Sequence, residues 1–458
     1  MGDEAGRAPG FGEARYSGRM RRLGGICSVA IAASTGCGLE PAPLPISRHD
    51  RIVQRAEEVR ELPLLEAVEV RHITQQQYLA EREDRVYAED PERYEVYAGT
   101  YGRLGFFDRD LDQRLLRVAT GRGIAGYYLD GAITLIGDEI EDDVYVHEIV
   151  HALQDQHFGI RDFVGVETTH AYVARRAVSE GEAELARERF NVQEEQPGSD
   201  LDDLPWGVRI GEEVDQSALF LASRPYPVVF AATAGIAYTH GLVYCAHQLL
   251  GVSATQPVPE PAPHDWGRQD ALWDAPPARG EQVLELDEAD EETPVGITDV
   301  PQALSDRLEL VDWDILGRWH SYLLFFPLRD VPGFDRPWDL GAAWDGDAAL
   351  FVKDLESEGL GVVWTSRWDD EVMAGRVVQA LTMLHGLDTD AGLMPAAAPD
   401  GETVWLERRG ATVVLVRNVE ASLLTELVAA AFDPEVAAGE PRAERAGPSF
   451  AAWLDRVP

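Results

Sequence analysis

VYVHEIVHALQDQHF, residues 144–158, holds two histidines one helical turn apart, His147 and His151, with Glu148 beside the first. Side chains at i and i+4 share one face of a helix, so both imidazoles can reach a single ion. Glu148 lies about 100° round the helix from His147, where its carboxylate can touch a water on that ion without becoming a ligand. This is the donor pattern of a hydrolytic zinc site, and Zn2+ is the cofactor it implies. The segment also reads as helix on independent grounds. Asp142 and Asp143 begin it, where the helix dipole favours carboxylates, and no Pro or Gly interrupts it until Gly159 supplies a stop.

Working outward, GIAGYYLDGAITLIG, residues 123–137, reads as two short strands round an Asp-Gly turn immediately before the helix. Strands in that position suit a peptide substrate, because an exposed edge strand can pair with an extended chain beside the metal. Further upstream, VEVRHI (68–73) reads as a strand and Thr74 as the N-cap of a polar helix through residue 90. Another helix is expected over 108–118. Downstream, THAYVARRAVSEGEAELARERF (169–190) reads as a second long helix. A zinc site needs a third protein ligand and an open fourth position. That helix offers Glu180, with Glu182, Glu184 and then His170 as alternatives.

HExxH followed by an E-G-x-A helix resembles the gluzincin branch of the zincin metallopeptidases, in which the third ligand is the glutamate of the second helix. Glu180 stands at that position, 29 residues after His151. The resemblance implies a zincin-like catalytic domain, mostly helical with a small sheet. It also implies peptide-bond hydrolysis in which Glu148 activates a zinc-bound water. A narrower resemblance rests on HALQDQHF (151–158), Tyr238 with Gly241, PPARGEQVL (276–284) and WDGD (344–347). Together these are similar to a little-characterised group of exported microbial zincin-like proteins, over most of the mature chain. The group has a His-Pro pair after EQVL, where this chain has Glu285 and Leu286. Tyr238 and His240, in an apolar helix-like run, are the candidates to stabilise the oxyanion. Asp155, one turn beyond His151, is a candidate to orient that ligand's free ring nitrogen.

Composition narrows the partners. The 458 residues carry 81 acidic and 40 basic side chains, a net charge of −41, spread over the chain in runs such as EEQPGSDLDD. Such a field repels nucleic acid and anionic lipid surfaces, so neither is an expected partner. The one membrane attachment the sequence suggests is at its N-terminus. From Met20, which reads as a possible true start, Arg21 and Arg22 precede a small apolar run ending in STGC, which resembles a lipoprotein cleavage box with Cys37 as the lipidated residue. Residues 1–37 are thus expected to be a leader and 38–50 a Pro-rich linker. The location is expected to be extracytoplasmic, as a cell-envelope lipoprotein or a secreted protein. Cys245 falls in an apolar run and reads as inert core.

The expected fold class is α+β: a catalytic domain over 51–295 and an accessory α+β domain over 296–458. In the latter, DRLELVDWD, AAWDGDAALFVKD, GLGVVWTSRWD, TVWLERRG and ATVVLVRN read as strands. WDGD itself reads as a turn. The function expected is a zinc metallopeptidase acting on peptide or protein. Two rivals stay open: a surface lipoprotein serving as a binding or scaffold module with a structural or vestigial zinc site, and a zinc hydrolase of a non-peptide amide.

Overall fold

The computed structural model describes residues 47–166, 168–211, 227–252, 263–286, 295–297, 299–387, 396–433 and 449–455. The expected leader, including Cys37, and most of the linker lie outside the described residues. Residues 47–458 cluster as one compact unit, of mixed α and β structure. Helix α1 (Arg48–Arg60) begins inside the expected linker, capped by Ser47, whose side chain accepts from the Asp50 amide.

The first part of the chain is helical with one small sheet. After β1 (Glu69–Ile73), Thr74 and Gln77 form a capping box at the start of α2 (Gln75–Tyr87). The single helix expected over 74–90 ends early. Asp90 caps a new helix, α3 (Pro91–Leu104), with Pro at its first position, where a missing N–H costs nothing. The helix expected from 108 is shorter, α4 (Gln113–Thr120), because the Asp112 carboxylate caps it. The hairpin β2 (Gly126–Leu129) and β3 (Ala132–Ile136) closes through Asp130 and Gly131, both at positive φ, as its tight turn requires. β3 is central: β1 pairs with it in parallel and β2 antiparallel, in the order β1-β3-β2. Among the described residues β2 therefore keeps one edge without a strand partner.

Next come α5 (Asp142–Phe158), α6 (Ile160–Val164), α7 (Thr169–Glu195) and α8 (Val229–Leu250). Every residue of α5 from Tyr145 to Gln154 is buried, so the HEIVH helix is a central element rather than a surface amphipath. By length and composition α8 could cross a membrane, but 72% of its apolar window is buried inside the molecule. It lies against α7 at unusually close range. A Cβ added to Gly181 would come within 2.2 Å of the Gly241 backbone, and one on Gly241 within 2.5 Å of the Ala177 carbonyl. Two glycines at the crossing let the helix backbones touch.

The short helices α9 (Trp266–Asp274) and α10 (Gly280–Leu284) lead to a six-stranded antiparallel sheet. Its strands are β4 (Leu308–Asp314), β5 (Trp344–Asp354), β6 (Leu360–Trp368), β7 (Ala396–Ala397), β8 (Thr403–Arg409) and β9 (Thr412–Arg417), in the order β4-β5-β6-β9-β8-β7. Alternation sorts its side chains: Phe351, Trp364 and Leu415 face one core, Leu350, Val363 and Val416 another. WDGD is not a free turn. It enters β5 at a bulge, and its Asp347 is buried, accepting from the Leu316 and Gly317 amides and from the indoles of Trp344 and Trp364. The first of these cores also takes residues from before 296, among them Tyr97, Tyr101, Tyr172 and Phe230. Asp314 adds a polar tie between the same regions, accepting from the Tyr101 hydroxyl at 2.6 Å and from the Thr169 amide at 2.8 Å.

Candidate metal centre

Helices α5 and α7 cross so that two i,i+4 pairs face each other, His147 and His151 on one and Glu180 and Glu184 on the other. His147 Nε2 lies 3.0 Å from His151 Nε2 and 3.2 Å from Glu180 Oε2, and His151 Nε2 lies 3.3 Å from the same oxygen. All three residues are buried. Tetrahedral zinc with ligands about 2.0–2.1 Å away separates them by roughly 3.3 Å, so this triangle has the size of one face of such a site. Among the described residues the group holds three donors.

The ring nitrogens turned away from this point both face an oxygen, and only that of His151 is hydrogen-bonded. His147 Nδ1 lies 3.1 Å from Glu184 Oε1, and His151 Nδ1 lies 2.8 Å from Gln154 Oε1. The oxygen bonded to His151 Nδ1 calls for an N–H there, which leaves its Nε2 to the shared point, whereas the His147 contact lacks hydrogen-bond geometry and does not fix that ring's tautomer. The donor set therefore fits a metal by its chemistry as well as its size.

Electrostatics separate the carboxylates. Burial alone would raise the Glu180 pKa, but the Arg176 guanidinium, with Nη1 2.5 Å from Oε1, and the two histidines hold it well below the usual range. Burial would depress His147, yet Glu180 and Glu184 outweigh it and lift the ring to about 10 without an ion. Glu184 is paired with Arg187 at 2.6 Å. Glu182 points elsewhere, into a buried network with Arg60 Nε at 2.5 Å and Trp273 Nε1 at 2.8 Å. Glu148 differs from these three: no ion pair among the described residues uses it, and burial raises its pKa despite the nearby histidines. A buried carboxylate with no cationic partner is costly to keep. It lies against the sheet, where a Cβ on Gly126 would come within 3.1 Å of its Cγ and Oε1. The open edge of β2 is thus within reach of the same carboxylate.

The remaining sequence candidates separate cleanly. Tyr238 reaches the centre, its ring stacked on His147 at 5.9 Å and 16°. His240, two residues on and about 200° round the helix, packs instead on Trp319 at 5.8 Å, and burial pushes its pKa down to about 4. Asp155 does not orient His151. It accepts from the Tyr128 hydroxyl at 2.6 Å and so fastens β2 to α5. His170 lies near the start of α7, 3.3 Å from Glu281 and against Trp344, ten residues from Glu180. Glu285, standing where the resembled group has histidine, pairs with Arg318. Sequence reasoning passed over Gln154 and Arg176. Both carried a signal, at i+3 from His151 and i−4 from Glu180.

Glu182 supports the fold rather than the centre, so Glu182→Ala is expected to cost about 1–3 kcal/mol: Arg60 keeps Asp270 but loses its buried partner, and the Trp273 indole N–H loses its acceptor. The denaturant midpoint measures this. Unchanged stability would mean that Asp270 alone suffices for Arg60.

A family model described as a domain of unknown function, DUF8575, matches residues 306–428. That stretch is the six-stranded sheet with its helices and excludes the His-His-Glu group. No curated protein and no solved structure is significantly similar to the chain.

Proposed function

We propose that the chain is a zinc metallopeptidase of the gluzincin type, with His147, His151 and Glu180 as metal ligands and Glu148 as the general base. The observation that carries this reading is the convergence of two Nε2 atoms and one carboxylate oxygen on a single buried point. Bound zinc would lower the pKa of a water and polarise a carbonyl. Glu148 then takes the proton from the attacking water and returns it to the leaving amine. Gly126, by lacking a side chain, lets a substrate strand on the edge of β2 approach that carboxylate. Tyr238, whose ring stacks on His147, is the candidate donor to the oxyanion, in preference to His240, which packs on Trp319. The three-donor group favours catalysis over a purely structural ion, for which four protein ligands are usual. The leader reading adds an extracytoplasmic setting, with a lipid on Cys37.

Elemental analysis of the purified protein is expected to give about one zinc per chain. Chelation should abolish hydrolysis of unstructured polypeptide, and added zinc should restore it. Bound zinc without hydrolysis would leave the scaffold reading in its place. For Tyr238→Phe a fall in kcat at unchanged metal content is expected, roughly ten- to a thousandfold for one lost oxyanion donor. An unchanged kcat would reduce Tyr238 to a packing role.

A further inference from the structure

We infer that Gln154 is a positioning residue of this centre, fixing which nitrogen of His151 faces the metal and locking the His151 helix to the backbone beside Glu180. The inference rests on the metal-centre reading above. Gln154 is fully buried, and its two amide atoms have different neighbours. Nε2 lies 2.9 Å from the carbonyl oxygen of Ser179, and because a carbonyl only accepts, that atom must be the NH2 end. Oε1 is then the atom 2.8 Å from His151 Nδ1, and because it only accepts, Nδ1 carries the hydrogen. The backbone of α7 thus dictates the amide orientation, and the amide dictates the tautomer.

The same side chain does mechanical work. Ser179 immediately precedes Glu180, so the path His151 Nδ1, Gln154, Ser179 carbonyl, Glu180 links two ligands on different helices through two hydrogen bonds. Among the described residues nothing equivalent serves His147, whose Nδ1 faces the Glu184 carboxylate, itself held by Arg187. One ligand is therefore backed by a charge and the other by a neutral amide. Partners of this kind orient the ring, and losing one typically weakens metal binding about 10–100-fold.

The test uses the full chain. Long-range 1H–15N spectra of the metal-free, histidine-labelled protein at alkaline pH should show His151 as the Nδ1–H tautomer in the wild type. They should show a shift toward Nε2–H in Gln154→Leu. Zinc affinity by chelator competition should fall about 10–100-fold in Gln154→Leu and in the shorter Gln154→Asn. Gln154→Glu should keep the Nδ1–H tautomer, since its carboxylate still accepts from Nδ1–H, but lose the bond to the Ser179 carbonyl, which only accepts, and with it part of the affinity. Should Gln154→Leu fail to fold, the Asn and Glu variants decide the matter, because Asn keeps the amide and loses reach, while Glu keeps the reach and the acceptor and loses the donor. Wild-type tautomer and affinity in every variant would overturn the role of Gln154 while leaving the metal centre intact. A wild type that binds no zinc would instead overturn the centre itself.

Discussion

Gly181→Ala is expected to destabilise the protein by about 3 kcal/mol or more, against the sign that helix propensity alone gives. Within a helix, alanine is favoured over glycine by roughly 1 kcal/mol, and Gly181 stands inside the 27-residue α7. The opposing effect is steric. The new Cβ would sit 2.2 Å from the carbonyl carbon and oxygen of Gly241, which are backbone atoms of another buried helix and cannot rotate away. Overpacking a core typically costs 1–3 kcal/mol even where side chains can yield, so repulsion outweighs propensity and α7 must separate from α8. Gly375 supplies the control. It lies in a helix, Glu371–Leu384, where an added Cβ meets nothing within 4 Å. There Gly→Ala should stabilise by up to about 1 kcal/mol. Chemical denaturation of both variants measures the two signs. Stabilisation at both sites would show that the two helices do not touch through backbone. Because Glu180 adjoins Gly181 and Tyr238 lies one turn before Gly241, the first variant is also expected to disturb the centre.

That contact marks where sequence reading stopped. The hairpin at Asp130-Gly131, the cap at Thr74 and the stop at Gly159 were legible because their causes are local: positive φ, an orphan N–H, a helix end. The strands after residue 306 were legible for a similar reason, since alternation with period two survives in one dimension. Helix α3 went unread because Asp90-Pro91 looks like a break and is also a start. The centre was half legible. His147 and His151 share a face by arithmetic, but the choice among Glu180, Glu182 and Glu184 depends on which side of α7 meets α5. Glu182 lies about 200° from Glu180 and faces Arg60 instead. Gln154 and Asp155 flank His151 at about −60° and +40°, and only the positions of α7 and β2 decide which of them serves the ring. Asp347 in WDGD had no one-dimensional signal, because its four donors come from three separate parts of the chain.

Glu148→Gln is expected to keep the metal and lose at least about a thousandfold in kcat/KM, within the 10²–10⁴ range for a single general acid–base group. The substitution is nearly isosteric, and among the described residues Glu148 takes part in no ion pair that its loss would break. Fold and metal content should therefore persist, unlike the Glu182→Ala case, where Arg60 loses one of its two carboxylate partners. What the amide cannot do is accept a proton from water and return it to the leaving amine. The three arginine-paired glutamates have structural or ligating work; the unpaired one stands beside the ligands and the open edge of β2. That placement suits the proposed proton transfer, since an ion-paired cation on the carboxylate would lower its basicity further. The decisive measurement is hydrolysis at equal zinc occupancy in the two proteins. Equal rates would remove Glu148 from the reaction and, with it, the proposal that the centre is a peptidase of this type. A variant that loses zinc together with activity would make Glu148 a fourth ligand and the centre a closed, structural one.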